Sequence, residues 1–209
     1  MKDRRILIVN ALTFARVPLI LLWLALAIVD EFQGGFWLGF FATFAMFCSG
    51  MTDLYDGKLA RKWGVVSTLG KMADPLMDKV FYVVAFPALA WISAHQGGNT
   101  AHALVLLGFA ILYMLRDLWV TFMRSIGSMF GADVAAMYLG KVRTALSFPC
   151  AGWVYMYLSW HTLVDATWDR IWLGSCYVFE AVMIALTLLS VWTYTKAYAP
   201  YLKKALEKK

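Results

Sequence analysis

The sequence predicts an all-α integral membrane protein, a bundle of six transmembrane helices with both termini cytoplasmic. Three observations carry this expectation. Hydrophobic residues make up 62% of the 209-residue chain and charged residues 15%, against roughly 45–50% and 25% in a soluble domain. With a mean hydropathy of +0.66, a soluble fold could not cover its apolar surface with so few charges. That excludes an ordinary cytosolic enzyme, a disordered segment and a disulfide-stapled scaffold. Six apolar runs follow one another, at residues 12–29, 36–55, 80–94, 103–123, 144–160 and 171–194, most of them near the ~20 residues of a span. Finally, 18 of the 19 Lys and Arg residues gather at the N-terminus, the second-to-third and fourth-to-fifth connections and the C-terminus, with Arg170 opposite. An even number of spans with cytoplasmic ends gives this bias. The net charge of +6 therefore reports topology, not nucleic-acid binding.

Taken in order, the first run follows Lys2, Arg4 and Arg5 and contains Ala25-Leu-Ala27, features shared with a cleavable signal. Cleavage would leave five spans and a worse charge match, and Arg16 and Pro18 suit a functional helix, so the run is expected to be retained. The second ends in Asp53 and Asp56. The third is long enough only if it starts near Asp74, which places polar residues on its first turns. The fourth carries Arg116 and Asp117, and Lys141 and Arg143 open the fifth. The sixth contains Glu180, a mid-span acid read either as a proton relay or as the partner of an adjacent hydroxyl or helix. Cys48, Cys150 and Cys176 sit singly in apolar runs and read as small hydrophobes. Trp37, Trp91, Trp160, Trp168 and Trp172 fall near the outer boundary, as an aromatic belt. His95, His102 and His161 are expected in solvated outer loops. Without repeats, linkers or low-complexity tracts, residues 1–209 are expected to form a single domain.

The chemistry-bearing stretch is Asp53-Leu-Tyr-Asp56-Gly57-Lys-Leu-Ala60-Arg61, followed by Gly70-Lys-Met-Ala-Asp74-Pro-Leu-Met-Asp78. Spacings of three and four put each acidic pair on one helix face. The short connection, read as residues 57–69, makes the two helices antiparallel neighbours, so the four carboxylates converge. Acids at a membrane are costly and usually functional, and four together repel unless cations are bound. Oxygen donors without His or Cys suit Mg²⁺ or Mn²⁺ and argue against zinc. The plain alternative is interfacial charge pairing with Lys58, Arg61, Lys62 and Lys79.

This stretch matches every fixed position of the signature D-x2-D-G-x2-A-R-x8-G-x3-D-x3-D and so resembles the CDP-alcohol phosphotransferase family. The resemblance implies six transmembrane helices, a homodimer, and displacement of CMP from a CDP-linked donor by an acceptor hydroxyl. It implies that Asp53, Asp56, Asp74 and Asp78 hold two divalent ions and that Asp78 is also the general base. Such ions suit a pyrophosphate donor, and a carboxylate suits an alcohol nucleophile. Gly57, Ala60 and Gly70 let the nucleotide lie against a thin wall, and Arg61 can fork onto phosphate. For Gly57, close helix packing is the alternative.

Two further blocks narrow the acceptor. Asn10-Ala-Leu-Thr13-Phe-Ala-Arg16 is similar to the opening of phosphatidylglycerophosphate synthases, with Val9 where those have Pro. It makes Asn10 and Thr13 candidate nucleotide contacts, or else Thr13 bonds back to its own helix. Arg116, Arg124, Lys141 and Arg143 resemble the basic block that lines the glycerol 3-phosphate pocket of those synthases, with Asp117 for Glu and Arg143 for Lys. Four cations beside the acidic site suit a phosphorylated acceptor, unless they only anchor the chain or meet anionic lipid. The implied reaction moves phosphatidyl from CDP-diacylglycerol, drawn from membrane lipid, to sn-glycerol 3-phosphate at the cytoplasmic face of a bacterial-type inner membrane. Inositol phosphate, serine or a phosphatidyl group are alternative acceptors. A cation transporter is the different-class alternative, and it predicts acids at several depths.

Overall fold

The computed structural model describes residues 2–65, 67–96, 99–131 and 138–207, without the side chains of Lys2, Asp3, Leu54, Lys71, Asp74, Tyr138, Leu139 and Lys141. Among these residues the chain forms six α-helices: α1 (Lys2–Gln33), α2 (Phe36–Trp63), α3 (Thr68–His95), α4 (Thr100–Met129), α5 (Tyr138–Trp160) and α6 (Ala166–Glu207), with a single 3₁₀ turn at His161–Leu163. By length and composition, α1, α3, α4 and α6 are apolar enough to cross a membrane. In α2 and α5 the expected spans are diluted by Gly, Ser, Thr, aromatic and charged residues.

The α2–α3 connection is shorter than the sequence suggested. Past the weak helix formers Asp56-Gly57, the good helix formers Lys58-Leu59-Ala60-Arg61 continue α2. Gly64 then ends the helix in the left-handed region at φ +63°, returning N–H groups to Ala60 and Arg61, a geometry that glycine adopts without steric cost. Ser67 caps α3 by accepting the Gly70 N–H at 2.9 Å. α2 thus ends at Trp63 and α3 begins at Thr68, and both halves of the acidic motif are helical.

α1 packs on α2 and α3, α4 on α3 and α6, and α5 on α6, α2 and α3. Ile20, Trp23, Met46, Phe86, Leu89, Phe109, Val154 and Met183 meet in the core. Phe86 tilts onto Phe109 with ring centroids 4.6 Å apart. At Gly50 a Cβ would collide with the Phe148 ring, so α2 and α5 approach closely there through a residue that only glycine suits.

At the bundle end opposite the acidic residues, His95 bonds Glu31 at 2.9 Å and is exposed, while His161 sits in the 3₁₀ turn. His102 corrects the expectation of a solvated loop residue. It lies in α4, fully buried, with Nε2 2.8 Å from Glu180 Oε1 of α6. A mid-span carboxylate needs a partner in a low-dielectric interior, and the ring one helix away supplies it. Cys150 and Cys176 are buried and Cys48 partly so, all three as free thiols.

Removing one member of such a pair strands the other. The change His102→Ala is expected to lower unfolding stability in detergent on the order of 3 kcal/mol, and joint replacement by His102→Leu and Glu180→Met to recover much of it. Thermal unfolding of both variants checks this, and a double variant as unstable as the single one would overturn it.

Candidate active site

The site begins with Arg16, an arginine inside the apolar stretch of α1 and 3% exposed. Its Nη1 donates to Asp78 Oδ1 at 2.7 Å, and its Nη2 to Asp53 Oδ1 at 2.6 Å and Asp56 Oδ2 at 3.3 Å. Three carboxylates from α2 and α3 thus converge on one guanidinium from α1, and charge-assisted bonds of this kind are the stronger class. Asp56 is buried, whereas Asp53 and Asp78 have side chains 49% and 35% exposed. They form the open edge of the cluster.

Around it, Thr13 lies one turn before Arg16 on the same face. Its hydroxyl is 2.8 Å from Asp56 Oδ2 and 3.2 Å from the Val9 carbonyl, and the carboxylate is the shorter, charged acceptor. Thr13 thereby orients Asp56. Asn10 accepts a bond from Ser67 at 2.8 Å, and its Oδ1 would stand 3.3 Å from a Cβ at Gly70. Ala60 packs with Val9 and Val65. Arg61 is exposed on α2, its Nη2 3.8 Å from where a Gly57 Cβ would stand. Asn10, Thr13, Gly57, Ala60, Arg61 and Gly70 lie on α1, α2 and the start of α3, outside the lining of the main cavity. The Asp74 and Lys141 side chains lie outside the described residues.

That cavity, about 1240 Å³, joins Arg16, Asp53 and Asp78 to Arg116, Arg124 and Arg143. Its basic half inverts the acidic one. Asp117 Oδ1 accepts Arg116 Nη1 at 2.8 Å and Arg143 Nη2 at 2.6 Å, and Oδ2 accepts Tyr82. Arg143 is 2% exposed, its Cζ 3.8 Å from the Tyr113 ring centroid. Arg116 also gives Nε to Ser190 at 3.0 Å, and Arg124 gives Nη2 to Tyr194 at 3.0 Å. Lys79, next to Asp78 on α3, reaches Thr121 at 3.3 Å. Thr43, Met46, Phe47, Phe148, Trp153 and Met156 line the rest with a mostly apolar wall. One chamber therefore offers carboxylates to cations, guanidinium groups to anions, and an apolar side to hydrocarbon.

The donor set suits a hard divalent ion, being carboxylate oxygen throughout. Among the described residues, which leave out the Asp74 side chain, no three acidic, His or Cys side chains stand in a coordinating cluster.

Sequence reading located the acids and the arginines but missed Arg16, Asp117, Lys79, Tyr82, Ser190 and Tyr194 as members of the site. For Arg16 a signal existed, since a charge inside an apolar run, three residues after Thr13, is costly without a partner. Ser190 and Tyr194 give no such signal, being ordinary residues of a membrane helix.

Residues 6–192 match the family model described as CDP-alcohol phosphatidyltransferase. A Streptomyces coelicolor protein named cardiolipin synthase (CMP-forming) is 37% identical over 89 residues, an alignment spanning 43% of this chain and 41% of that one. A Shigella flexneri protein named CDP-diacylglycerol–glycerol-3-phosphate 3-phosphatidyltransferase is 28% identical over 154 residues, 73% of this chain and 74% of the relative. One of the same name from Cereibacter sphaeroides is 24% identical over 197 residues, spanning 80% and 85%. The chain thus spans less than half of the first relative and about three quarters or more of the other two.

The change Arg16→Met leaves the converging carboxylates without their guanidinium. Stability in metal-free detergent is expected to fall by about 3 kcal/mol, at the low end for a broken buried pair because two partners are partly exposed. Added Mg²⁺ is expected to restore much of the loss. Thermal midpoints matching wild type with and without Mg²⁺ would overturn this account of Arg16.

Proposed function

The chain belongs to the CDP-alcohol phosphatidyltransferase family, and from that premise we propose that it transfers phosphatidyl from CDP-diacylglycerol to sn-glycerol 3-phosphate, releasing CMP and forming phosphatidylglycerophosphate. The observation that carries this reading is the single cavity with carboxylates at one end, guanidinium groups at the other and an apolar wall between α2 and α5. A diphosphate-linked lipid donor and a small phosphorylated alcohol need those three surfaces together. The relatives from Shigella flexneri and Cereibacter sphaeroides bear the name of this activity.

In this reading Asp53, Asp56, Asp74 and Asp78 hold two divalent ions, Mg²⁺ or Mn²⁺. When bound, such ions neutralise the donor diphosphate and the departing CMP. The chain's own residues do the rest. Asp78, at the open edge of the cluster, accepts the proton of the acceptor's 1-hydroxyl as its oxygen bonds to the phosphatidyl phosphorus and the bond to CMP breaks. Thr13 serves the nucleotide end through Asp56. Asn10, Gly57, Ala60, Arg61 and Gly70 form the wall beside the CDP group. Arg116, Arg124, Lys141 and Arg143 receive the acceptor phosphate, with Asp117 fixing two of them.

All six helices cross the membrane in this proposal, with both termini and the cavity mouth cytoplasmic in a bacterial-type inner membrane. The charge bias of the connections supports that orientation. Residues 1–209 act as one domain, and two chains form a homodimer.

A second acceptor is favoured by one observation, the cardiolipin synthase relative. There the attacking hydroxyl would belong to a phosphatidyl lipid, a phosphodiester with less charge than a phosphate monoester. The concentration of arginines in the basic half favours the monoester.

The deciding assay is CMP release by purified protein in detergent with CDP-diacylglycerol and Mg²⁺, comparing sn-glycerol 3-phosphate with phosphatidylglycerol. Release stimulated by the first and abolished by EDTA is expected, and stimulation by the lipid alone would move the reading to the second acceptor. In the same assay Asp78→Asn is expected to lose about 10²–10⁴-fold of the rate while keeping its helical circular dichroism. A rate near wild type in that variant would remove the base assignment.

A further inference from the structure

α6 reads in the sequence as a plain apolar span, yet its face toward α4 carries two buried polar residues one helical turn apart, Ser190 and Tyr194. Ser190 Oγ accepts Arg116 through Nε at 3.0 Å and also through Nη2. Tyr194 accepts Arg124 Nη2 on its hydroxyl at 3.0 Å. Both cations also approach its ring, with the Cζ atoms of Arg116 and Arg124 5.2 and 5.4 Å from the ring centroid. The ring is itself held. Tyr198, one turn on, stacks on it at an interplanar angle of 6°, and a Cβ at Gly140 would stand 3.4 Å from the Tyr194 hydroxyl.

The arrangement works against two costs. Arg116 and Arg124 carry like charges, and free arginine side chains lose much rotamer freedom when fixed. Asp117 pairs with Arg116 but shares its charge with Arg143, whereas Arg124 is exposed at the cavity. The electron-rich face of one phenol ring attracts both guanidinium groups, and the two α6 hydroxyls fix their directions. Ser190 and Tyr194 hold planar cations side by side on a chamber wall, an arrangement that matches the forked recognition of a phosphate group.

We propose that Ser190 and Tyr194 of α6 are positioning residues that hold Arg116 and Arg124 together as one receptor for the phosphate of the acceptor, so that α6 sets acceptor specificity. This rests on the proposed reaction for the identity of the acceptor, and on the geometry alone for the phosphate receptor.

The test uses the full chain in detergent with the variants Tyr194→Phe, Tyr194→Leu and Ser190→Ala. Tyr194→Phe keeps the ring and loses the hydroxyl, so the KM for sn-glycerol 3-phosphate is expected to rise about tenfold, near the low end for one lost bond to a charged group. Tyr194→Leu also loses the ring, and a rise of about thirtyfold or more is expected. Ser190→Ala is expected to fall near the Phe variant. The KM for CDP-diacylglycerol is expected to stay within about twofold in all three. Rises in both KM values by the same factor, or no rise for the acceptor, overturn the proposal, since a general packing role predicts the former.

Binding is read separately, without donor, from the thermal shift that sn-glycerol 3-phosphate or inorganic phosphate gives. A shift in wild type that is lost in Tyr194→Leu supports the receptor, and no shift in wild type overturns it. Phosphate binding without acceptor-dependent CMP release would leave the receptor standing and remove the proposed reaction.

Discussion

Placing carboxylates at the end of an apolar helix bundle is tolerable only if an opposite charge comes with them, and here Arg16 brings it. Burial of Asp56 beside half-exposed Asp53 and Asp78 would otherwise be prohibitive. Because the guanidinium is planar and forked, it can take carboxylates from α2 and α3 at once. The same contacts tie α1 to both neighbours. Much else follows from that junction: the short turn between α2 and α3, the Ser67 cap shared with Asn10, and the orientation of Asp56 by Thr13.

The basic half solves the mirror problem with the mirror device. Arg116 and Arg143 are buried against Asp117, a carboxylate set between guanidinium groups as Arg16 is a guanidinium set between carboxylates. Each half is internally compensated before any ligand arrives, which keeps the fold stable in the absence of substrate. Neither is fully neutralised, so each still attracts charge of the opposite sign. The polar groups of the site come from all six helices: Thr13 and Arg16 from α1, Asp53 and Asp56 from α2, Asp78 from α3, Arg116, Asp117 and Arg124 from α4, Arg143 from α5, and Ser190 and Tyr194 from α6.

What could be read from the sequence followed from how local its cause was. The helices, the acidic motif and the basic set are consequences of residue type and spacing, so they were legible. The extent of α2 was misjudged because Asp56-Gly57 looks like a turn, whereas the following Lys58-Leu59-Ala60-Arg61 carries the helix on to Gly64. His102 was expected in solvent because its position near a loop is visible, while its partner Glu180 lies 78 residues away. Tyr194 and Ser190 were invisible for the same reason: their meaning depends on which arginines α4 turns toward them. Pairings of long separation are a tertiary product, and one sequence does not display them.

α6 runs unbroken for 42 residues, about 63 Å at the rise of an α-helix and roughly twice the hydrocarbon thickness of a bilayer. It is pinned by Glu180 at His102 and carries Tyr194 further along the same rod. Fourteen residue steps, or about 21 Å of helix, separate those points. A continuous helix fixes that spacing, so the buried pair at one level sets where along α4 the tyrosine meets its arginines at the other.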